Sequence, residues 1–516
     1  EALICFHFDM AGNKKKTVHY ALLSAKTSYE KYQVEDSIHY YELVKKYLNE
    51  DGNSMDETRL IEYLEGYSDA LLSAGKNNEL LEILKEFEHK IFDDVLQVKL
   101  KIKKIFCYSR LSDMDSLETT LNETEKILNS VAGGKNAEAL WANLYERHGS
   151  FYETKGKWDL ALGQYEKALK TYDDIKNMNG IATVLISTGV IYYKTGNYID
   201  ALNKFERSII IYKKTGDKRG TAQCLNNMGM IYHAKGDHVK ALDRFKESME
   251  ILKEIGDRRG AGNCLNNMGI VYNDKGDINA ALDHYKMSLN IFENTGEKRM
   301  IANCLSNIGI IYHAKQNYED AKDHHERAIR IFKEIGDRQG LAYCLNNIGN
   351  IYQIKRNYDG ALKNYAESLN ILEEIGNKYG MANCLAGIGT AYNEKGDHDQ
   401  ALINCKRSLA ILEEIGGKQG IAMCLHFIGR IYISKNEYDT ALDHLSRSIT
   451  VSDENGYKTC SALCLKETGN IYMHKYEYVK ALDRFERSKA LFEELFDKTE
   501  IDAVNDKIIE CLKLKG

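Results

Sequence analysis

One segment, from Ala222 to Ile255 (AQCLNNMGMIYHAKGDHVKALDRFKESMEILKEI), returns with edits every 40 residues through most of the chain. Anchored on Gly229, glycine recurs at Gly149, Gly189, Gly269, Gly309, Gly349, Gly389, Gly429 and Gly469. A tyrosine stands three residues after each glycine, from Tyr152 to Tyr472, and an alanine twelve residues after, from Ala161 to Ala481. Nine unbroken copies in three slots point to a stacked array, because a fixed period of this size marks units that bury their apolar faces on one another. A chain of 516 residues would otherwise suggest several globular domains. In an array no single core has to grow with length.

Proline is absent, where ordinary usage would supply about two dozen. Helices and glycine-made turns must therefore build nearly everything, with strand content close to nil. Charged residues make up 28% of the chain and the net charge is −6, which gives no reason to expect nucleic acid or an anionic membrane as partner. No apolar run approaches the ~18 residues of a membrane span, and no signal peptide is visible. The chain starts at Glu1, without Met, inside what reads as a helix (ALICFHFDMAG), and is expected to be a piece trimmed from a longer protein.

Of the twelve cysteines, Cys224, Cys264, Cys304, Cys344, Cys384, Cys424 and Cys464 share one slot, which holds Leu144 and Val184 in earlier copies. A slot that takes Leu, Val or Cys is a small apolar core position. Successive copies lie a whole repeat apart, too far for a disulfide. The pattern fits a reducing, cytoplasmic compartment.

With Ala222 as position 1, Leu225 stands at 4, Gly229 at 8, Tyr232 at 11, Ala241 at 20, Phe245 at 24 and Ser248 at 27. This closely resembles the tetratricopeptide repeat (TPR), with Leu where the family often has Trp and without its terminal proline. The usual unit is about 34 residues; the extra residues here lengthen the helices and the turn between units. That variant is similar to the long-repeat arrays of spindle-orientation adaptors and of sensor arms on bacterial signalling proteins. The resemblance runs from Asn136 to about Leu495. It implies an all-α, right-handed TPR superhelix (an α-solenoid) of about twelve helical hairpins. Residues 1–135 read as degenerate hairpins, 136–495 as nine regular repeats, and 496–516 as a capping helix.

Local chemistry agrees with this division. In one copy helix A is expected from about Arg258 to Lys275 and helix B from Ile278 to Asn294. Asp237, Asp277, Asn317, Asn357 and Asp397 suit the N-cap of helix B, where a side-chain oxygen accepts from an unpaired amide. Lys235, Lys275, Lys315, Lys355 and Lys395 complement the carboxyl end of helix A. Gly216, Gly256, Gly336 and Gly376 suit a left-handed end to helix B, and Asp217, Asp257, Asp337 and Asn377 then cap the next helix A. Glu297 and Gly417 break that rule, so looser turns are expected there. A mid-helix glycine costs about 1 kcal/mol against alanine, so the nine at Gly229 and its copies need an offsetting close approach of helices A and B. After Leu495, an apolar stripe of Ile501, Val504, Ile508, Ile509 and Leu512 opposes Lys507 and Lys513, as a helix that caps the last repeat or binds a partner would.

The first 135 residues are helical but irregular. Hairpins are expected over Lys14–Asn49, with Ser37, Ile38 and Tyr41 in second-helix slots, over Asp56–Phe92, turning at Gly75-Lys76-Asn77, and over Asp93–Ser130, closing at Gly133-Gly134. The string HYALLSAKTSYEKYQVEDSIHYYELVKKYL resembles the segment that follows the nucleotide switch of STAND-type ATPases and related cyclases. No GxxxxGK[ST] loop occurs, so the chain carries no P-loop signature.

The TPR resemblance also implies where a partner would lie. In this family positions 2, 5, 6, 9, 12 and 13 of helix A tend to face the concave groove. Positions 5 and 6 here hold Asn226-Asn227, Asn266-Asn267, Ser306-Asn307 and Asn346-Asn347. Position 2 adds Gln223, Asn263, Asn303 and Asn383, and positions 9 and 12 add Asn350, His233, Asn273, His313 and Gln353. An amide side chain both donates and accepts, so such a ladder can pair the backbone of an extended peptide without reading its sequence. It resembles the asparagine ladder in the TPR region of O-linked N-acetylglucosamine transferase. Asn at position 6 is also plain family consensus at a wet site, and both readings stand.

Towards the carboxyl end Ala386-Gly387, then His426-Phe427 with Arg430, then Lys466-Glu467 with Asn470, replace the paired amides. Phe427 beside Arg430 reads either as a side-chain-reading pocket or as local repacking. Lys466 and Asn470 alone resemble the carboxylate clamp of chaperone-tail receptors, and no later repeat completes it. His324 and His325 adjoin one another, but neighbouring helix residues do not share a face, so no metal site is expected. No catalytic constellation stands out and no cofactor is implied.

The expected function is a non-catalytic scaffold that binds another protein or an extended peptide, with self-association available through the array ends. The alternative is the ligand-sensing arm of a larger STAND-type ATPase or cyclase.

Overall fold

A computed structural model of the chain describes residues 1–30, 33–50, 57–88, 91, 93–111, 113–131, 135–495 and 498–515. Among the described residues there are twenty-six helices and no strand. They form two compact units, Glu1–Gly256 and Asp257–Gly516.

The first unit opens with α1 (Ala2–Met10), followed by the hairpins α2 (Lys14–Glu30) with α3 (Val34–Glu50), α4 (Glu57–Ser73) with α5 (Asn77–Phe87), and α6 (Asp94–Leu111) with α7 (Met114–Ser130). Three longer ones complete it: α8 (Lys135–Thr154) with α9 (Trp158–Asp174), α10 (Met178–Lys194) with α11 (Tyr198–Thr215), and α12 (Lys218–Ala234) with α13 (His238–Glu254). The second unit begins with α14 (Arg258–Asp274) and α15 (Ile278–Thr295), α16 (Lys298–Ala314) and α17 (Tyr318–Ile335), and α18 (Arg338–Ile354) and α19 (Tyr358–Glu374). It continues with α20 (Lys378–Lys395) and α21 (His398–Ile415), α22 (Lys418–Ser434) and α23 (Tyr438–Asn455), α24 (Lys458–His474) and α25 (Tyr478–Glu494), and ends with α26 (Lys498–Lys515). Twelve hairpins result, as the repeat pattern implies. The expected hairpin ends at Asp56 and Phe92 and the Gly133-Gly134 closure lie outside the described residues.

Each of the nine regular hairpins closes on the glycine of helix A. A Cβ on Gly229 would sit 2.6 Å from the ring of Phe245, one on Gly269 2.7 Å from Tyr285, and one on Gly469 2.6 Å from Phe485. The residue at position 24 therefore lies flat on bare backbone. Burying such a ring contributes about 2 kcal/mol, which outweighs the ~1 kcal/mol of helix propensity lost at the glycine. In two copies the ring is replaced by Cys405 and Leu445, yet a Cβ on Gly389 or Gly429 would still come within 2.4 and 2.8 Å of them. The sequence also holds a second glycine series, two residues before position 1, that joins successive hairpins: a Cβ on Gly220 would meet Tyr212 at 2.6 Å and one on Gly340 would meet Phe332 at 2.4 Å.

The serine at position 27 fastens the two helices. Its hydroxyl donates to the carbonyl of position 1 at 2.7–2.9 Å from Ser208, Ser248, Ser368, Ser408, Ser448 and Ser488. The slot cysteine of the following repeat lies against the same hydroxyl, with Ser368–Cys384 at 3.1 Å and Ser408–Cys424 at 3.0 Å. All twelve cysteines are free and buried. Burial pushes the Cys344 and Cys384 thiols up to about 11, so they stay protonated and inert at neutral pH. Because Ala168 and Ala328 fill the serine slot in two repeats and are fully buried, Ser368→Ala is expected to fold normally. Its repeat should lose about 1 kcal/mol of local stability, read from amide exchange in α18 and α19, the worth of one buried hydrogen bond.

The turns follow the expected chemistry and add to it. Asp237, Asp277, Asn317, Asn357 and Asp397 each accept from the amide three residues on, as do Asp217, Asp257, Asp337 and Asn377. Gly216, Gly256, Gly336 and Gly376 have φ of 70–76°. Glu297 and Gly417 make no side-chain cap, but their φ values of −79° and −75° match the capped copies. Those turns are not looser, because the preceding Gly296 and Gly416, both at φ 72°, set the chain direction. The lysines closing helix A also reach the preceding repeat: Lys395 pairs with Asp359 at 2.6 Å and Lys435 with Asp399 at 3.1 Å.

In α26 the buried stripe differs from the expected one. Val504 and Cys511 are fully buried against Ala481, Phe485 and Phe492, with Ile501 and Ile508 half-buried beside them. Ile509 and Leu512 are 49% exposed. The helix starts in the register of helix A, one repeat after Lys458. Ile509 and Leu512 thus fall in the glycine and tyrosine slots, which elsewhere face helix B, while α26 packs on α25 with its other side.

Candidate peptide-binding face

The side chains expected to meet a partner all lie on helices A. In the first unit Asn226, Asn227 and His233 stand half-buried on α12. In the second unit Asn263, Asn266, Asn267 and Asn273 are half-buried on α14, and Asn307 and His313 on α16, where Asn303 is exposed. Asn346, Asn347, Asn350 and Gln353 are half-buried on α18. This intermediate exposure follows from the register: positions 1, 3, 4, 7, 8 and 10 turn into the core, and the amide positions fall between them.

Contacts from helix to helix join α14 to α16 and α18 to α20. Asn307 donates through Nδ2 to Oδ1 of Asn266 at 3.0 Å. The Cys384 thiol donates to Oδ1 of Asn346 at 3.3 Å, and Gln353 Nε2 donates to the Thr390 hydroxyl at 3.0 Å. The Tyr365 hydroxyl lies 2.7 Å from Asn350 Oδ1 and 2.9 Å from Gln353 Oε1. Several amides therefore commit one end within the chain, which fixes their orientation and removes part of the entropy a partner would otherwise have to freeze.

The row changes at α20, where position 6 is Gly387. A Cβ on Gly387 would come within 2.9 Å of the Tyr365 ring, so the ring that orients Asn350 and Gln353 lies against bare backbone at position 6 of the next repeat. Beyond it, Arg430 pairs with Glu394 at 3.2 Å. Phe427 is half-buried and packs beside Ala401, Cys405, Ile428 and Ile431. His426 is buried, its ring 5.7 Å from that of Phe427, so these neighbours do not share an open surface. Lys466 is engaged by Glu500 at 2.7 Å. The adjacent histidines also diverge: His325 fills the ring slot against Gly309, while His324 bonds the Asp320 carbonyl at 2.8 Å.

Sequence reasoning that looked for amides passed over Ile310, Tyr343 and Ile354, which are exposed on the same helices. Their signal was their position number, 9, 2 and 13, which belongs to the same face. Thr390, a further link in the row, was missed for the same reason. Among the described residues no helix is long and apolar enough to cross a membrane.

A tetratricopeptide repeat profile matches seven overlapping windows that run without a gap over residues 138–454. The chain belongs to the tetratricopeptide repeat family. Among solved structures, this TPR chain is similar to a Rap protein complexed with competence and sporulation factor, at 16% identity over 70% of this chain and 98% of that one, TM-score 0.49. It is also similar to aspartyl phosphate phosphatase F from Bacillus subtilis, at 16% identity over 70% of this chain and 95% of that one, TM-score 0.47. BtubC from P. vanneervenii shares 18% identity over 43% of this chain and 91% of its own, TM-score 0.37. Similarity at this level carries no function to this chain. No curated protein matches the sequence.

Proposed function

We propose that this TPR chain is a non-catalytic scaffold that binds another protein, or an extended peptide segment of one, along the helix-A face. The observation that supports this reading is the half-open amide row of α14, α16 and α18, in which side chains able both to donate and to accept are held in place by contacts between successive helices. An extended backbone presents N–H and C=O groups at a regular spacing, and preoriented amides meet them without requiring a given sequence.

The test is a variant with Asn227, Asn267, Asn307 and Asn347 all replaced by Ala. Partners recovered with the wild-type chain from its native host, then purified, should bind the variant at least about tenfold more weakly, the effect of losing a few interfacial hydrogen bonds. Helicity and melting should stay nearly unchanged, since none of the four side chains is fully buried. Unaltered affinity would remove the amide row from the binding site.

A further inference from the structure

The face described above has a chemical character that its amides alone do not convey. On α14, α16, α18 and α20 the residues at positions 2, 5, 6, 9 and 12 include no Asp, Glu, Lys or Arg. At the chain's 28% share of charged residues, twenty such positions would carry five or six. The one titratable imidazole among them, His313, is held below the usual histidine range by burial, so it too is neutral near pH 7.

Charge returns at the borders. Asp274 and Glu394 stand at position 13 of α14 and α20, and Arg430, Lys466 and Glu467 follow on α22 and α24. Arg430 and Lys466 are already paired with Glu394 and Glu500. Between these borders Ile310, Tyr343 and Ile354 keep 41%, 39% and 48% of their surface open, beside the amides of Asn347 and Asn350.

We propose that the segment accommodated along α14–α20 is an extended peptide stretch without charged side chains, which sets aliphatic or aromatic side chains against Ile310, Tyr343 and Ile354 and its backbone against the amides. This rests on the docking reading above and names the chemistry of the partner. A lysine or aspartate of the partner lying between those charged borders would lose water and find no opposite charge, and an unpaired charge at an interface selects against its bearer. An aliphatic side chain there loses only apolar hydration, which favours association. Binding without ion pairs is also insensitive to screening.

Random dodecapeptides displayed on phage and panned against the full chain test this. Selected peptides are synthesised and measured by fluorescence polarisation against wild type and against Ile354→Glu, a change at a 48% exposed position. The expected result is peptides depleted in charge relative to the library, whose affinity changes less than about twofold between about 50 and 500 mM salt. They should weaken about tenfold or more when a central residue is made Lys or Asp, and likewise on Ile354→Glu. Peptides that lose affinity on Ile354→Glu but are rich in charge and salt-sensitive would overturn this inference and leave the docking reading intact. Selected peptides indifferent both to Ile354→Glu and to the quadruple asparagine variant, or no selected peptides at all, would overturn both.

Discussion

Gly349→Ala should destabilise the repeat that contains it by about 2 kcal/mol, although alanine is the better helix former by about 1 kcal/mol. The added Cβ would lie 2.5 Å from Cε1 and 2.7 Å from Cδ1 of Tyr365. That ring cannot retreat easily. It is fully buried, its hydroxyl is held by Asn350 and Gln353, and its far side presses on Gly387. Overpacking of a rigid core typically costs about 1–3 kcal/mol, and with the ring pinned on both sides the upper part of that range applies. Gly163, in the middle of α9 with nothing within 4 Å of its would-be Cβ, supplies the control. Gly163→Ala should stabilise by up to about 1 kcal/mol. Long arrays depart from two-state unfolding, so the readout is amide exchange in α18 and α19 for the first variant and in α8 and α9 for the second. If both substitutions slow exchange alike, helices A and B do not approach as closely as described, and the account of the nine glycines fails.

The repeat glycines were legible because a costly residue in one slot nine times demands a single steric cause. The caps were legible because Asp or Asn three residues before a backbone amide has one local use. What escaped the sequence depends on neighbours that are distant along the chain. The left-handed residue in the A-to-B turn is glycine in five repeats, from Gly156 to Gly396, but Gln316, Arg356, Asn436 and Tyr476 adopt φ of 57–62° in the others. The substitutions hide the signal, since the backbone is imposed by the flanking helices at a cost of about 1–2 kcal/mol each. The α26 stripe was misjudged because an amphipathic pattern shows that a helix has an apolar side without showing how wide the covered part is. Ile509 and Leu512 fit the pattern, but only Val504 and Cys511 are fully covered. On the candidate face, the amides were found from their slot numbers, whereas Gly387 and Thr390 acquire meaning only once Tyr365 and Gln353 are placed against them.

A second large effect should appear on acidification. His325 occupies the ring slot against Gly309, is 1% exposed, and its Nδ1 has no hydrogen-bond partner. Burial first, and then the neighbouring His313 and His324, push its pKa down to about 4. His426, buried on α22 with neither ring nitrogen paired, is pushed down to about 4 by burial, then by Arg430 and Lys466. In the unfolded chain a histidine titrates near 6.5, about 2.5 units higher. Between these two values the unfolded state binds more protons than the folded one, so stability falls as pH drops from about 6.5 to about 4 and is unaffected above that window. Each residue accounts for a loss of the order of 3 kcal/mol over that range. Phe205, Phe245 and Phe485 fill the same slot against Gly189, Gly229 and Gly469, so His325→Phe should fit with no rearrangement. The variant should be more stable at pH 7 by about 1 kcal/mol or more, because a buried unpaired nitrogen is removed, and its stability should fall by about 3 kcal/mol less than that of wild type across the window. Melting temperatures of wild type and variant, followed from pH 7 to pH 4, provide the measurement. Parallel curves would mean that His325 takes up its proton within the folded array, and that the core around Gly309 is open enough to solvate the charge.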